Sequence, residues 1–356
     1  MTKDQVLEKL LEAQEGFVSG EALARELCLS RAAVWKAVEQ LRREGYRIES
    51  VPHRGYCLTD AGSRLSVAGI RRTLRHRDLD LRTFRCIDST NTALKHLAEG
   101  GAPQGLCLIA EQQTGGRGRM GRSFYSPPGS GVYMSLLLRP DFPAVQAGLL
   151  TAGAAVAAAE AIEELTGKRC GIKWVNDIVL GGKKVCGILT EGALEGETGR
   201  LQYAVVGLGF NLREPPGGFP PELRDIAGAI LDPEEPDRDL ICRLPALVLD
   251  KLMDLIACLH EDSLLDRYRS RCFLLGKPIL IHRPGQAPEQ ALALDLTPEF
   301  SLIVERQDGS RAVLHSGEVS IRPDPPCAKA LSYGKMQLES GNSSPVWTRV
   351  SPIRKG

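Results

Sequence analysis

No two of the ten cysteines in this 356-residue chain are spaced as CxxC. They stand at positions 28, 57, 86, 107, 170, 186, 242, 258, 272 and 327, most of them inside apolar runs such as Leu106-Cys107-Leu108 and Ile256-Ala257-Cys258. That placement sets aside a disulfide framework and a thiolate metal site, and it suits small buried side chains in a reducing compartment. The six histidines are scattered and form no HExxH, and no Ser, Cys or His triad is evident, so neither zinc chemistry nor nucleophilic hydrolysis is expected. Long apolar runs are missing too. No stretch of about eighteen apolar residues occurs, and charges cross the N-terminal MTKDQVLEKLLEAQEG where a signal peptide needs its apolar region. The nearest candidate, residues 147–162, is interrupted by Gly148, Thr151, Gly153 and Glu160 and reads as a tightly packed core helix. A soluble, cytoplasmic protein without membrane association is expected. Net charge is nearly absent, 45 Lys and Arg against 44 Asp and Glu leaving +1. Any nucleic-acid contact must therefore come from a local basic face and not from the field of the whole chain.

The length exceeds what one hydrophobic core usually organises, so two or three domains are expected. Residues 1–62 read as a winged helix-turn-helix. Val6, Leu7, Leu10 and Leu11 repeat at helical spacing before Gly16, a second helix covers 20–27, and Ser30 caps a third from Arg31 to about Arg43. Val34, Val38 and Leu41 mark its inner face, leaving Arg31, Trp35, Lys36, Gln40, Arg42 and Arg43 outward. Residues 46–51 and 56–58 alternate like a hairpin about Pro52-His53-Arg54-Gly55. Amphipathic helices alone would suit a module that merely packs on its neighbour. The full order, a capped basic helix followed by a hairpin with arginine at its tip, points to DNA binding, with Ser30, Arg31, Trp35 and Lys36 at the groove and His53 and Arg54 on backbone or minor groove. Trp35 has a second option, burial against the wing.

Residues 65–272 alternate apolar strands (105–110, 131–138, 201–208) with helices (144–165, 238–259, 264–271), the pattern of an α+β catalytic domain. Residues 172–179 and 185–189 are expected as strands turned by Gly181-Gly182. After Gly276 short strands follow at 278–282, 291–294, 301–305, 312–315 and 319–321, so 273–323 is expected to form a small SH3-like β-barrel. Residues 324–356 have no sustained period and are expected to be a disordered tail.

Two segments carry the chemistry. TGGRGRMGR, 114–122, sets Arg117, Arg119 and Arg122 on a glycine-dense loop able to approach and surround an anion such as carboxylate or phosphate. It lacks the GK[ST] ending of a P-loop, and RG-rich tracts also bind RNA, but this one sits between two buried strands. The second, KWVNDIVLGGKKVCGIL at 173–189, supplies Lys173, Asn176, Asp177, Lys183 and Lys184. Lys173 and Asp177 share a face of a regular strand. The pair is either an ordinary ion pair or a site for triphosphate and Mg²⁺, since one carboxylate plus substrate phosphates is a usual magnesium arrangement. Such cations can bring a carboxylate substrate up to the α-phosphate of a nucleotide and stabilise the charge that develops there.

With these motifs in view, the chain resembles the biotin protein ligases, specifically the bifunctional members that repress the biotin operon. SRAAVWKAVEQLRREGY with its wing, Asp88-Ser89-Thr90-Asn91, AEQQTGGRGRMGR, KWVNDIVLGGKKVCGIL, GLGFNL, FPPELRDIA and SGEVSIR carry the likeness up to about Arg322. The resemblance implies a ligase domain related to class II aminoacyl-tRNA synthetases. Biotin and ATP would give biotinyl-5'-AMP, and biotin would pass to a lysine of the biotin carboxyl carrier protein of acetyl-CoA carboxylase. By the same resemblance Ser89, Thr90, Asn91, Gln113, Arg117, Gly118, Arg119 and Lys184 bind biotin. Arg119, Arg122, Lys173, Asn176 and Asn211 bind ATP, and Lys184, Asp177, Arg119 and Lys173 are catalytic, with Asp177 near Mg²⁺. Asn211 and the loop 213–225 match the segment that orders over adenine. The adenylate would also act as corepressor, promoting a homodimer that binds biotin operator DNA.

Val175 stands where many relatives have proline, Met120 replaces a frequent basic residue, and 287–300 is less typical. The tail beyond 323 has no counterpart in the family pattern. Two other readings fit parts of the chain: a DNA-binding regulator that senses an acid or acyl-adenylate without turnover, and a lipoate or octanoyl ligase. Lys173, Asp177, Lys184 and the three loop arginines speak against the first, and the winged module together with GRGRxGR against the second.

Overall fold

The computed structural model describes residues 2–13, 16–59, 64–196, 199–235, 239–259, 261–283, 285–315 and 320–323. Its N-terminal part comprises helices α1 (Thr2–Glu12), α2 (Gly20–Glu26) and α3 (Arg31–Arg43) with the hairpin β1 (Ile48–Val51) and β2 (Gly55–Leu58). Ser19 and Ser30 cap α2 and α3, their hydroxyls accepting from the Ala22 and Ala33 amides at 3.0 and 3.1 Å. Val6, Leu7, Leu10, Leu11, Leu23, Val34, Val38 and Leu41 close one small core. Arg42 departs from the outward placement read in the sequence. It is half-buried and donates to the Ile48 carbonyl from Nε and Nη2, at 3.0 and 2.7 Å, tying the recognition helix to the wing.

The short helix α4 (Val67–Arg71) packs on α1 and leads into a seven-stranded mixed sheet. The strands are β3 (Asp80–Phe84), β4 (Leu106–Ala110), β5 (Gly131–Leu138), β6 (Gly171–Lys173), β7 (Asp177–Leu180), β8 (Lys183–Leu194) and β9 (Leu201–Asn211), in spatial order β3-β4-β5-β9-β8-β7-β6. Only β3 and β4 run parallel. One face carries α6 (Ala147–Thr166) with α7 (Leu240–Ile256) and α8 (Asp262–Arg269) behind it. Alanines and glycines along α6 let it lie close to its neighbours, and twelve of its residues are buried, as a core helix requires. The other face carries α5 (Thr90–Glu99), whose Leu94 and Ala98 pack on Leu106, Leu108, Leu137 and Val205.

The expected single strand over 172–179 is broken. Residues 174–176 form a turn, and β6 and β7 fold back as an antiparallel pair in which Lys173 lies opposite Asp177. The two therefore meet across a ladder and are not alternate positions of one strand. Trp174 anchors the turn, its indole donating to the Phe300 carbonyl at 2.8 Å. Elements α4, β3 and α5 were not anticipated from the sequence. Nor was the exposure of Cys28 and Cys86; among the described residues Cys57, Cys107, Cys170, Cys186, Cys242 and Cys272 are buried.

Strands β10 (Pro278–His282), β11 (Glu289–Leu296), β12 (Leu302–Arg306), β13 (Arg311–Leu314) and β14 (Ser320–Pro323) form a five-stranded antiparallel sheet in the order β13-β12-β11-β10-β14. The expected tail over 324–356 lies outside the described residues. Among the described residues no helix is long and apolar enough to cross a membrane.

Candidate active site and nucleic-acid interface

Two adjoining cavities open beside the central strands. The smaller has about 460 Å³ of empty space, part of it open to solvent, and its wall includes Ser89, Thr90, Asn91, Gln113, Arg117, Gly118, Arg119 and Lys184, the whole set expected to bind biotin. The larger cleft is bordered by Arg119, Arg122, Lys173, Asn176, Asp177, Lys184 and Asn211. The two share Gly118, Arg119, Phe124, Asn176 and Lys184. Residues as far as 66 positions apart, Gly118 and Lys184, thus meet at one boundary.

The small cavity is polar along one wall. Ser89 caps α5 by accepting from the Thr92 amide at 3.3 Å, which turns the start of that helix towards the sheet. Gln113 Oε1 accepts from the Thr90 amide at 2.8 Å and from its hydroxyl at 3.1 Å. Ser135 Oγ, on β5, lies 2.7 Å from the Thr90 hydroxyl and 2.6 Å from Asn91 Oδ1. Phe124 and Tyr133 supply the apolar surface, their rings edge to face at 6.2 Å, and Lys184 Nζ stands 5.6 Å above the Phe124 ring. Burial pushes the Tyr133 phenol up to about 12, moderated by Ser130 and Ser126 nearby. Neither serine meets hydrogen-bond geometry with it, so this hydroxyl is buried without a partner at the cavity wall. A buried polar atom in that condition favours a polar ligand.

Glycines make the room. Gly187 on β8 faces Gly209 on β9, and Gly207 lies one pleat further on. A methyl on Gly209 would stand 2.8 Å from the Phe124 ring, and one on Gly207 would overlap the Asn91 amide.

At the boundary between the cavities Lys184 Nζ contacts Asp177 Oδ1 at 2.6 Å, and Arg119 donates to Asn176 Oδ1 at 3.1 Å. Asn176 Nδ2 donates to the Ile188 carbonyl at 2.7 Å, so both of its polar atoms are engaged in holding the turn against β8. Burial lowers the Arg119 pKa, with Asp177 opposing and Arg122 reinforcing the shift. A poorly solvated guanidinium of this kind gains most from an anion. Asn211 Nδ2 donates to the Gly228 carbonyl at 3.0 Å, while Lys184 N donates to Ile226 O at 2.7 Å. These bonds stitch the loop after β9 to β8, where its Phe219, Glu222, Leu223 and Ile226 form a wall of the cleft. Arg169 also lines the cleft, a fifth cation beside Arg119, Arg122, Lys173 and Lys184.

The residues expected to contact DNA lie apart, on α3 and the wing. Trp35 is 55% exposed, which decides between the two placements open to it in favour of display. Arg31 and Lys36 are exposed, with Arg31 paired to Glu21 at 2.5 Å. His53 takes a left-handed φ of 64° at the wing tip, and the Arg54 guanidinium stacks 4.1 Å over Phe17.

Phe124, Tyr133, Ser135 and Arg169 had no role in the sequence reading. The pleat-spaced Gly207 and Gly209 were the available signal, since glycine inside a strand marks a close approach.

An anion-binding loop over a small cavity with one polar wall, adjoining a cationic cleft and carried beside a winged helix-turn-helix, defines a ligase coupled to a DNA-binding module. Residues 83–211 match the biotin/lipoate A/B protein ligase family, and residues 2–57 match a helix-turn-helix domain. The chain is 41% identical over 230 residues to the bifunctional ligase/repressor BirA of Bacillus subtilis, covering 64% of this chain and 70% of that protein. It is 37% identical over 204 residues to the protein of the same name from Escherichia coli, covering 57% and 61%. Among solved structures, biotin protein ligase from Aquifex aeolicus in complex with biotin and ATP aligns with a TM-score of 0.54 at 26% identity, over 69% of this chain and 99% of that one. The chain belongs to the biotin protein ligase family. Within it, the N-terminal domain and these likenesses place it among the bifunctional ligase/repressors.

Proposed function

We propose that the small cavity holds biotin, that the cleft holds ATP, and that the two react at the boundary formed by Arg119, Asn176 and Lys184. The shared boundary is the observation that carries this reading, because it brings a carboxylate in the small cavity within reach of a phosphate in the cleft. Ser89, Thr90, Gln113 and the unpartnered Tyr133 hydroxyl suit a ureido ring at the polar wall. Arg117, Arg119 and Lys184 suit the carboxylate.

An oxygen of that carboxylate attacks the α-phosphorus, the bond to the bridging oxygen breaks, and pyrophosphate leaves with the electron pair. Arg119, Lys184, Lys173 and Arg122 offset the growing negative charge. The carrier lysine, as free amine, then attacks the acyl carbon. AMP leaves and the amine loses one proton. Among the described residues no three His, Cys, Asp or Glu side chains cluster as a metal site. Asp177, which lines the cleft together with Glu222 and Asp225, would hold an Mg²⁺ ion arriving on the nucleotide phosphates, whose charge that ion would neutralise. The loop from Arg213 to Asp225 supports closure over adenine.

On this reading residues 1–62 bind the biotin operator as a homodimer promoted by the adenylate, with Ser30, Arg31, Trp35, Lys36, His53 and Arg54 at the DNA. The ligase domain over 65–272 is related to class II aminoacyl-tRNA synthetases, and residues 273–323 form an SH3-like barrel. The protein works in the cytoplasm on the biotin carboxyl carrier protein of acetyl-CoA carboxylase. Biotin- and Mg²⁺-dependent ATP–pyrophosphate exchange tests the chemistry: exchange in the native protein that collapses in Lys184→Ala supports it. A folded protein that binds biotin but shows no exchange would instead be a sensor.

A further inference from the structure

Glu191 lies on β8 outside every set named above, with a side chain only 17% exposed. One carboxylate oxygen accepts from Asn91 Nδ2 at 3.0 Å. The other accepts from Lys95 Nζ at 3.0 Å, with Arg117 Nη1 3.5 Å away. Burial pushes its pKa up, but hydrogen bonds from Asn91 and Lys95 and the charges of Lys95 and Arg117 outweigh it and hold the carboxyl below its ordinary range. At neutral pH the group is therefore ionised and only accepts.

That polarity propagates. Asn91 turns its amide hydrogens to Glu191 and to the Leu189 carbonyl, 3.2 Å away, so its Oδ1 accepts from Ser135 at 2.6 Å. Ser135 has a single proton, and it is committed to that bond. At the 2.7 Å contact between the two hydroxyls, Thr90 can then only donate. Its alternative acceptor, Gln113 Oε1, is itself pinned by the Thr90 amide. With either partner the Thr90 proton stays inside the protein and a lone pair faces the cavity.

We propose that Glu191 is a positioning residue: through Asn91 and Ser135 it sets Thr90 as an acceptor for a ligand N–H, and it holds Arg117 beside the same cavity. The proposal rests on the biotin reading and deepens it, because it selects a ring that presents N–H at this point over one that presents oxygen. In Glu191→Gln the new amide must turn its NH₂ towards Asn91 or towards Lys95 and Arg117, and each choice opposes a donor.

The test is calorimetric titration of the full-length native and Glu191→Gln proteins with biotin and with the two cyclic carbamates in which one or other ring N–H is replaced by oxygen. Native protein should favour biotin over at least one carbamate by about 100-fold. Glu191→Gln should weaken biotin about tenfold, the scale of one charge-assisted hydrogen bond, and narrow that preference, while the KM for ATP stays within about twofold. In an Asn91→Ala background the same change should cost under about threefold, since linked residues are not additive. Unchanged biotin affinity and preference would overturn the proposal, as would equal weakening of biotin and ATP together with a lowered Tm. If Glu191→Gln does not fold, Ser135→Ala tests the same chain from its other end, and an unaltered biotin preference there refutes it. Native protein that binds biotin without exchange would sink the ligase reading while leaving the Glu191 comparison decisive.

Discussion

Replacing Gly207 by alanine should damage both stability and biotin binding, and the structure says by how much. The added methyl would lie 2.8 Å from Asn91 Cγ and 3.0 Å from Nδ2, closer than carbon atoms tolerate. Asn91 cannot step aside cheaply. It donates to Leu189 O and Glu191 and accepts from Ser135. Displacing it forfeits two neutral bonds worth about 1 kcal/mol each and one to a carboxylate worth about 2, so about 4 kcal/mol in all. That is a large part of the stability of a typical domain. Gly209→Ala is the matched control. Its methyl meets the Phe124 ring at 2.8 Å, and a ring edge can shift at a cost of about 1–2 kcal/mol. Denaturant unfolding of the three proteins with calorimetric biotin titration measures both effects. Equal losses in the two variants, or a Gly207→Ala protein with native midpoint and affinity, would refute the account based on the locked amide.

Lys184→Ala and Arg119→Ala should each lower biotin-dependent pyrophosphate exchange by about 100-fold or more, since each removes a cation from the point where charge develops. Trp35→Ala should leave Tm almost unchanged because the ring is 55% exposed, yet weaken operator binding in a gel-shift or anisotropy titration. Arg54→Ala should weaken binding across sequences and flatten its salt dependence, as loss of a backbone contact does. The Glu163–Arg271 pair provides a pH test. Burial raises the Glu163 pKa, but the Arg271 hydrogen bond, the Cys170 amide and nearby arginines bring it below its ordinary 4.5. A depressed folded value adds stability above the unfolded pKa, and that stability is lost as pH falls through the folded one. Glu163→Gln should therefore cost about 1 kcal/mol at pH 7, and the native and variant Tm values should converge in acid.

Much of the fold was legible because local periodicity and capping are local properties. The third helix was placed at Arg31 by the Ser30 cap and the spacing of Val34, Val38 and Leu41, and β5 and β10 were bounded correctly by their apolar runs. Helix α5 escaped because TNTALKHLAE has only a narrow apolar stripe, Leu94 and Ala98, and its value lies in what it meets. The break at residues 174–176 escaped for a related reason. A continuous apolar run reads as a strand, whereas the turn is held by distant partners, Phe300 for Trp174 and Ile188 for Asn176.

The sequence by itself determined which groups carry charge, where the anion loop and the basic helix lie, and that both belong to one chain. Those are matters of composition and short-range spacing. Only the tertiary structure decided that Asn91, Ser135 and Glu191, drawn from a helix and two strands, form one directed chain of hydrogen bonds behind Thr90. Hydrogen-bond polarity depends on the partner's protons and distance. Those partners become neighbours only when the sheet closes and excludes water from between them.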